Sequence, residues 1–383
     1  MHQIKNISTL CFILILSACI KAYDPVIDSS AANKYVVTGR VTDTEGWQQV
    51  EVSLSSNIAS PKYVPVGGCQ VHILDDKGND FSLEEYTPGH YQVWMGKEYL
   101  VHGNSYHVKV TIPGGEELMS GADKMPKGPP LDSVYYLLKD VPTSDPSVTS
   151  RIMQFYVDLD ARGDYSQYYK WEVEETWEYH AAHPLEHYYD GTFHLVDPPD
   201  YTNKVCWMTT NVKNVFTLST KSLTQNKYDQ YPLHFIDGHT SRLGYLYSML
   251  VRQLALSEGA YNYWEQLRIN SNEQGGLYEK QPLAIKGNME DKSHPERVVL
   301  GYFYTGSESV RRYFYSDIPD LNLDFWDYCS EEGLGLFGWK EFGPNDYPVY
   351  FYYRAQAVRI LSNECVDCRL LGGTTVKPDF WPR

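Results

Sequence analysis

From Lys34 onward the chain is written in short alternating runs. "YVVTGRVTD" (Tyr35–Asp43), "QQVEVSLSS" (Gln48–Ser56), "CQVHILDD" (Cys69–Asp76), "GHYQVWM" (Gly89–Met95) and "SYHVKVTIP" (Ser105–Pro113) each set β-branched and aromatic residues against polar ones with a period of two. That period is the mark of a half-buried strand. Turn residues separate the runs, as in "DDKGND" and the Pro88-Gly89 pair. Five such strands without a helical stretch predict a small β-sandwich of immunoglobulin-like type over residues 34–125. The Cys-Trp-Cys core of antibody domains is missing from it, so only the architecture is predicted.

Pro126, Gly128, Pro129 and Pro130 then interrupt the pattern, which resumes at "LDSVYYLL". Residues 126–383 read as a larger, still β-rich domain containing "RIMQFYVDLD", "QYYKWEVEETWEYH", "NVFTLST", "RVVLGYFYT" and "YPVYFYYRAQAV". In the second of these, Lys170, Glu172, Glu174 and Thr176 alternate with Trp171, Val173, Glu175 and Trp177. One face is therefore apolar except at Glu175. A single segment has helical character. "SEGAYNYWEQLRIN" offers Ser257 as a cap, Glu258 against the helix N-terminus, and Ala260, Tyr263, Trp264 and Leu267 at helical spacing. Gly275 and Gly276 stop it. The predicted class is mainly β, with one or few short helices.

The N-terminus departs from this pattern. Lys5 precedes the apolar run Leu10–Leu16, which is shorter than the roughly 20 residues that a membrane span needs. Residues 1–18 thus read as a signal peptide. "LSAC" at Leu16–Cys19 resembles a bacterial lipobox, which makes Cys19 the expected lipidation site. Residues 19–33 then read as a polar, aperiodic tether. Several acyl chains would hold it firmly, at about 0.8 kcal/mol per buried methylene. The expected state is lipid-anchored, and the family resemblance given below implies the outer membrane, on the cell surface or the periplasmic face.

The net charge of −16 argues against nucleic acid as a partner, since phosphate contacts need a basic face. The 33 tyrosines and 9 tryptophans suit strands, and also surfaces that bind sugars or proteins. Two stretches resemble catalytic or metal motifs. "HPLEH" (His183, Glu186, His187) has the spacing of an inverted zinc-protease motif, but Pro184 and the flanking residues predict a solvated loop where that chemistry needs a helix. Metal binding by His180, His183 and His187 without catalysis is the milder alternative. "DLDARGD" (Asp158–Asp164) has the look of a calcium loop, but Arg162 and Tyr169 occupy ligand positions. A hairpin turn explains Gly163 better. No catalytic residue, metal ligand or cofactor is assigned.

Seven cysteines remain to be placed. Cys11 leaves with the signal and Cys19 takes the lipid. Outside the cytoplasm thiols tend to be oxidised, so Cys206, Cys329, Cys365 and Cys368 are disulfide candidates with three possible pairings. A zinc site on the same four residues and free or redox thiols are the alternatives. The terminal "CVDCRLLGGTTVKPDFWPR" reads as a clip: cysteines tie the segment down, Gly372 and Gly373 permit a turn, and Phe380 and Trp381 pack back onto the body.

The lipobox, "YVVTGRVTD", "PPLDSVYY", "DLDARGDYSQYYKWEVEE", "YLYSMLVRQLALSEGAYNYWEQL", "VVLGYFYTGS" and "CVDCRLLGGTTVKPDFW" together resemble a family of Bacteroidota outer-membrane lipoproteins known as a domain of unknown function, family 4249. The resemblance implies an immunoglobulin-like domain followed by a larger β-rich one, and genes that often lie beside TonB-dependent transporters. It implies no catalytic residues. Cys69 stands where the family pattern has a small residue, which makes it an unpaired extra. The expected function is a non-catalytic lipoprotein, a binding or accessory subunit associated with a TonB-dependent transporter. The alternative is an envelope enzyme acting on peptide or glycan.

Overall fold

A computed structural model describes residues 33–56, 61–145, 148–272, 285–321, 323 and 329–382. The expected signal peptide, Cys19 and the expected tether up to residue 32 lie outside the described residues. The first strands are β1 (Tyr35–Thr42), β2 (Gly46–Leu54), β3 (Val64–Pro65), β4 (Gln70–Asp75), β5 (Asp80–Thr87), β6 (His90–Met95), β7 (Ser105–Thr111), β8 (Glu117–Ser120) and β9 (Asp123–Lys124). Next come β10 (Ser133–Pro142), β11 (Thr149–Asp160), β12 (Tyr168–His180), β13 (Leu185–Tyr189), β14 (Phe193–Asp200), β15 (Val205–Asn211), β16 (Phe216–Ser219), β17 (Lys227–Asp237) and β18 (Tyr247–Leu256). Helix α1 (Glu258–Asn272) precedes β19 (Met289–Asp291), β20 (Phe303–Tyr315), β21 (Glu331–Gly333), β22 (Val349–Arg354) and β23 (Ala357–Leu361). The protein is mainly β, and α1 falls where capping and periodicity place it: the Ser257 hydroxyl accepts from the Ala260 amide at 3.2 Å.

The early strands wrap around one core. Val37, Val52, Ile73, Tyr91, Tyr106 and Val110 alternate inward from β1, β2, β4, β6 and β7. Cys69 is buried at its edge and unpaired. The same core also takes Met289, Val299 and Phe303 from far downstream. β19 pairs with β8, and β20 lies parallel to β1 with Gly39 opposite Phe303. The chain leaves this sandwich at the proline-rich stretch and later returns to it. Gly301 makes the return possible. Its φ is +94°, and a Cβ there would sit 2.1 Å from the Val37 carbonyl oxygen.

Because β20 also pairs antiparallel with β18, one continuous sheet runs β15-β12-β18-β20-β1-β2-β6. A three-stranded sheet, β10-β11-β17, closes over the inner face of its second half. Trp171, Val173, Tyr169 and Trp177 of β12 enter that second core with Phe155 and Tyr247. This is the apolar face of the alternation read in "YKWEVEETW". Glu175, the polar exception, is 2% exposed and bonded to His234 (3.0 Å), Arg242 (3.1 Å) and Tyr247 (2.8 Å). Three donors offset the cost of burying its charge.

Two local readings need correcting. Residues 158–164 do not form a hairpin, because β11 pairs with β10 and β17 and never with β12. The turn carries the chain from one sheet to the other. The region of "HPLEH" is not a solvated loop either: Glu186 and His187 belong to β13, in the five-stranded sheet β14-β13-β22-β23-β21. A mixed pattern of His, Glu and Tyr hides a strand whose side chains are all half-buried.

The C-terminal segment is clipped as expected except at Phe380, which stays 40% exposed under the Arg312 guanidinium while Trp381 packs inward. Thr374 exchanges both backbone bonds with Trp207 of β15, at 2.8 and 2.9 Å. Gly372 takes φ +97° at the turn. Trp381 is buried, donates to Glu178 at 3.0 Å and packs edge-on to Phe314.

Candidate functional site

The outer face of β12 is where chemistry gathers. Lys170, Glu172 and Glu174 point away from the core, as strand alternation requires. α1 covers only part of this face, and a cleft of about 460 Å³ remains open beside it. Arg40, Lys170, Glu172, Lys213, Arg252 and Trp264 are among the residues that line it. Arg40, Glu172 and Trp264 also line an adjoining cavity of about 320 Å³, which is walled by Tyr86, Tyr263, Tyr302 and Tyr304.

Glu172 is the centre of the cleft. Arg40 Nη1 donates to both of its carboxylate oxygens at 2.9 Å. Lys170 Nζ donates to Oε1 at 2.8 Å and sits 3.2 Å from the centre of the Trp264 ring. Arg252 Nε stands 3.5 Å away and is shared with Glu308. Burial pushes the Glu172 carboxyl up, but Lys170 and Arg40 outweigh it and hold it down at about 2. Three cations therefore face two carboxylates. On the rim, Glu174 is matched by Arg312 at 2.8 Å, and Arg312 lies over the Phe380 ring. Lys213 is exposed and has no partner among the described residues.

The other sequence candidates lie elsewhere. The sulfurs of Cys206 and Cys368 are 1.99 Å apart, and those of Cys329 and Cys365 are 2.11 Å apart. All four disulfide candidates are thus brought together in pairs, and the C-x-x-C sequence is split between two bridges. His180 bonds Glu178 at 2.8 Å and stacks on Tyr245. His183 bonds Glu331 at 3.1 Å, while His187 lies against Phe351 and Tyr353. Among the described residues the only grouping suited to a metal is His183, Cys329 and Glu331, and the Cys329 sulfur is already in a bridge. A serine, histidine and aspartate do meet at Asp43, which accepts from His102 and Ser307, each at 2.7 Å. There the carboxylate separates the hydroxyl from the imidazole, so the order of a nucleophilic triad is absent.

Sequence reasoning placed Lys170, Glu172 and Glu174 on one face but did not single them out as a site. Arg40 and Arg252 carry no local signal, because their roles arise only where β1 and β18 meet β12 in space. Helical spacing places Trp264 on the apolar helix face. It does pack on the core under α1, and it also floors the cleft.

Comparison with known families bears on this geometry. Residues 20–312 match the family described as Domain of unknown function (DUF4249). The chain belongs to the DUF4249 family. The match covers the sandwich and the strands that build the cleft. It ends within β20, so the terminal clip and the strands β21, β22 and β23 lie beyond the matched residues. No curated protein matches the chain.

Proposed function

We propose that this DUF4249 protein is a non-catalytic, lipid-anchored binding subunit of the outer membrane that works with a TonB-dependent transporter. The observation that supports a binding role is the geometry at Glu172, whose carboxylate is engaged by Arg40 at 2.9 Å and Lys170 at 2.8 Å beside the Trp264 ring. A carboxylate held ionised at about 2 by fixed cations is a weak general base, and it is never protonated to act as an acid near neutral pH. The cleft presents permanent charge beside aromatic rings, which is equipment for recognition. The lipobox at Cys19 and the signal before it support anchoring. No helix among the described residues is long and apolar enough to cross a membrane.

The test is co-purification. The tagged full chain, extracted from detergent-solubilised outer membranes, is expected to bring down a TonB-dependent transporter in near-stoichiometric amount, and a Cys19→Ala chain is expected to leave the membrane fraction. Recovery of the lipoprotein alone overturns the association, and membrane retention of the Cys19→Ala chain overturns the anchor.

A further inference from the structure

The cleft has a charge imbalance that the protein does not correct. Its walls carry Arg40, Lys170, Arg252 and Lys213 against Glu172 and Glu174. Counting the outside partners Glu308 and Arg312 leaves the same surplus of two positive charges. This surplus sits inside a chain of net charge −16. A positive pocket on an acidic body attracts anions locally while the body repels them elsewhere. Glu51 lines only the adjoining cavity, where Tyr86, Tyr263, Tyr302 and Tyr304 supply an aromatic wall. A second observation points the same way. Trp264 lines both cavities and carries the Lys170 ammonium 3.2 Å from its ring centre, so charge and an aromatic face meet where the two cavities join.

We propose that the cleft binds a small ligand that presents one carboxylate next to a ring. The carboxylate sits among Lys213, Arg252 and Arg40. The ring lies in the adjoining cavity against Tyr263, Tyr302 and Tyr304. Lys213 is the selective element, since it is the one cation of the cleft with no protein carboxylate of its own among the described residues. The proposal rests on the reading of the chain as a binding protein and adds the class of ligand.

Calorimetric titration of the purified mature chain tests it with paired probes. These are N-acetyltyrosine against N-acetyltyrosinamide, and galacturonic acid against galactose. Inorganic phosphate is run alongside. One of the two acids is expected to bind at least about tenfold more tightly than its neutral counterpart, and the pair that responds identifies whether the ring is aromatic or a sugar. Lys213→Glu is expected to weaken that binding by about tenfold or more, while Lys213→Arg retains it. Lys213 is exposed, so an unchanged melting temperature shows that the loss is not unfolding. Equal binding of acid and neutral probe, no binding of any probe, or indifference to Lys213→Glu overturns the ligand class. Phosphate binding as tightly as the acids overturns the ring. These outcomes leave the transporter association to its own co-purification test.

Discussion

Arg40 and Glu172 stand 132 positions apart in sequence, yet one guanidinium nitrogen reaches both oxygens of the carboxylate at 2.9 Å. The pair joins β1 of the sandwich to β12 of the second core. It spans the place where the continuous sheet passes from one core to the other, so it fixes how the two halves of the cleft face each other.

Replacing both partners should cost less than the sum of the two single replacements. Glu172→Gln leaves Arg40, Lys170 and Arg252 facing each other with less compensation, which should destabilise the chain by about 2 kcal/mol, short of a fully buried pair because the side chains are about one-third exposed. Arg40→Met alone should cost less, because Lys170 still compensates the carboxylate. A double-mutant cycle read by urea unfolding should give a coupling of at least about 0.5 kcal/mol. Strict additivity would show that the pair is decorative.

The acid response follows from the same residue. The Glu172 carboxyl falls from its ordinary value of 4.5 to about 2 in the folded protein. A lowered carboxyl stabilises the fold above its unfolded value and loses that contribution as pH falls toward its folded value. Glu175 is lowered as well: burial raises it, but His234, Arg242 and Tyr247 prevail. The unfolding midpoint should therefore drop between pH 4.5 and 2. In Glu172→Gln this slope should be shallower across that window, and an identical slope would remove Glu172 from the account.

The bridges can be read directly. Peptide mapping of the non-reduced mature protein should recover Cys206 linked to Cys368 and Cys329 linked to Cys365, with Cys69 as a thiol. Loop-closure entropy ranks their effects. A closed loop of 162 residues is worth about 5 kcal/mol and one of 36 residues about 4 kcal/mol. The double serine variant of the first pair should thus lose more stability than that of the second. A Cys365–Cys368 bridge in the map would contradict the structure outright.

Much of the architecture is written in local pattern. The alternation of "YKWEVEETW" assigns Trp171 and Val173 to a core and Lys170 and Glu172 to the opposite face, because a strand has only two faces. The helix at 258–272 announces itself through Ser257 and its apolar spacing. The terminal clip is legible because two glycines, two cysteines and two large aromatics have few other uses at a chain end. What local pattern does not carry is which strands become neighbours. "DLDARGD" looks the same whether the turn closes a hairpin or crosses between sheets. β13 escapes notice because His187 and Glu186 are half-buried and give no clean period. The cleft was illegible for the same reason: Arg40 is an ordinary outward residue of β1 until β20 brings β12 and β18 alongside it.

That late arrival of β20 has a consequence for how the protein must be made. β1 is among the first strands to emerge from the ribosome, but its second neighbour lies beyond residue 302. A chain ending at the proline-rich boundary would bare a strand edge and lack Met289, Val299 and Phe303 from its interior. The sandwich is complete only when nearly four-fifths of the polypeptide has been made. Its N-terminal third is therefore a dependant of the rest, with an open strand edge until the chain comes back to it.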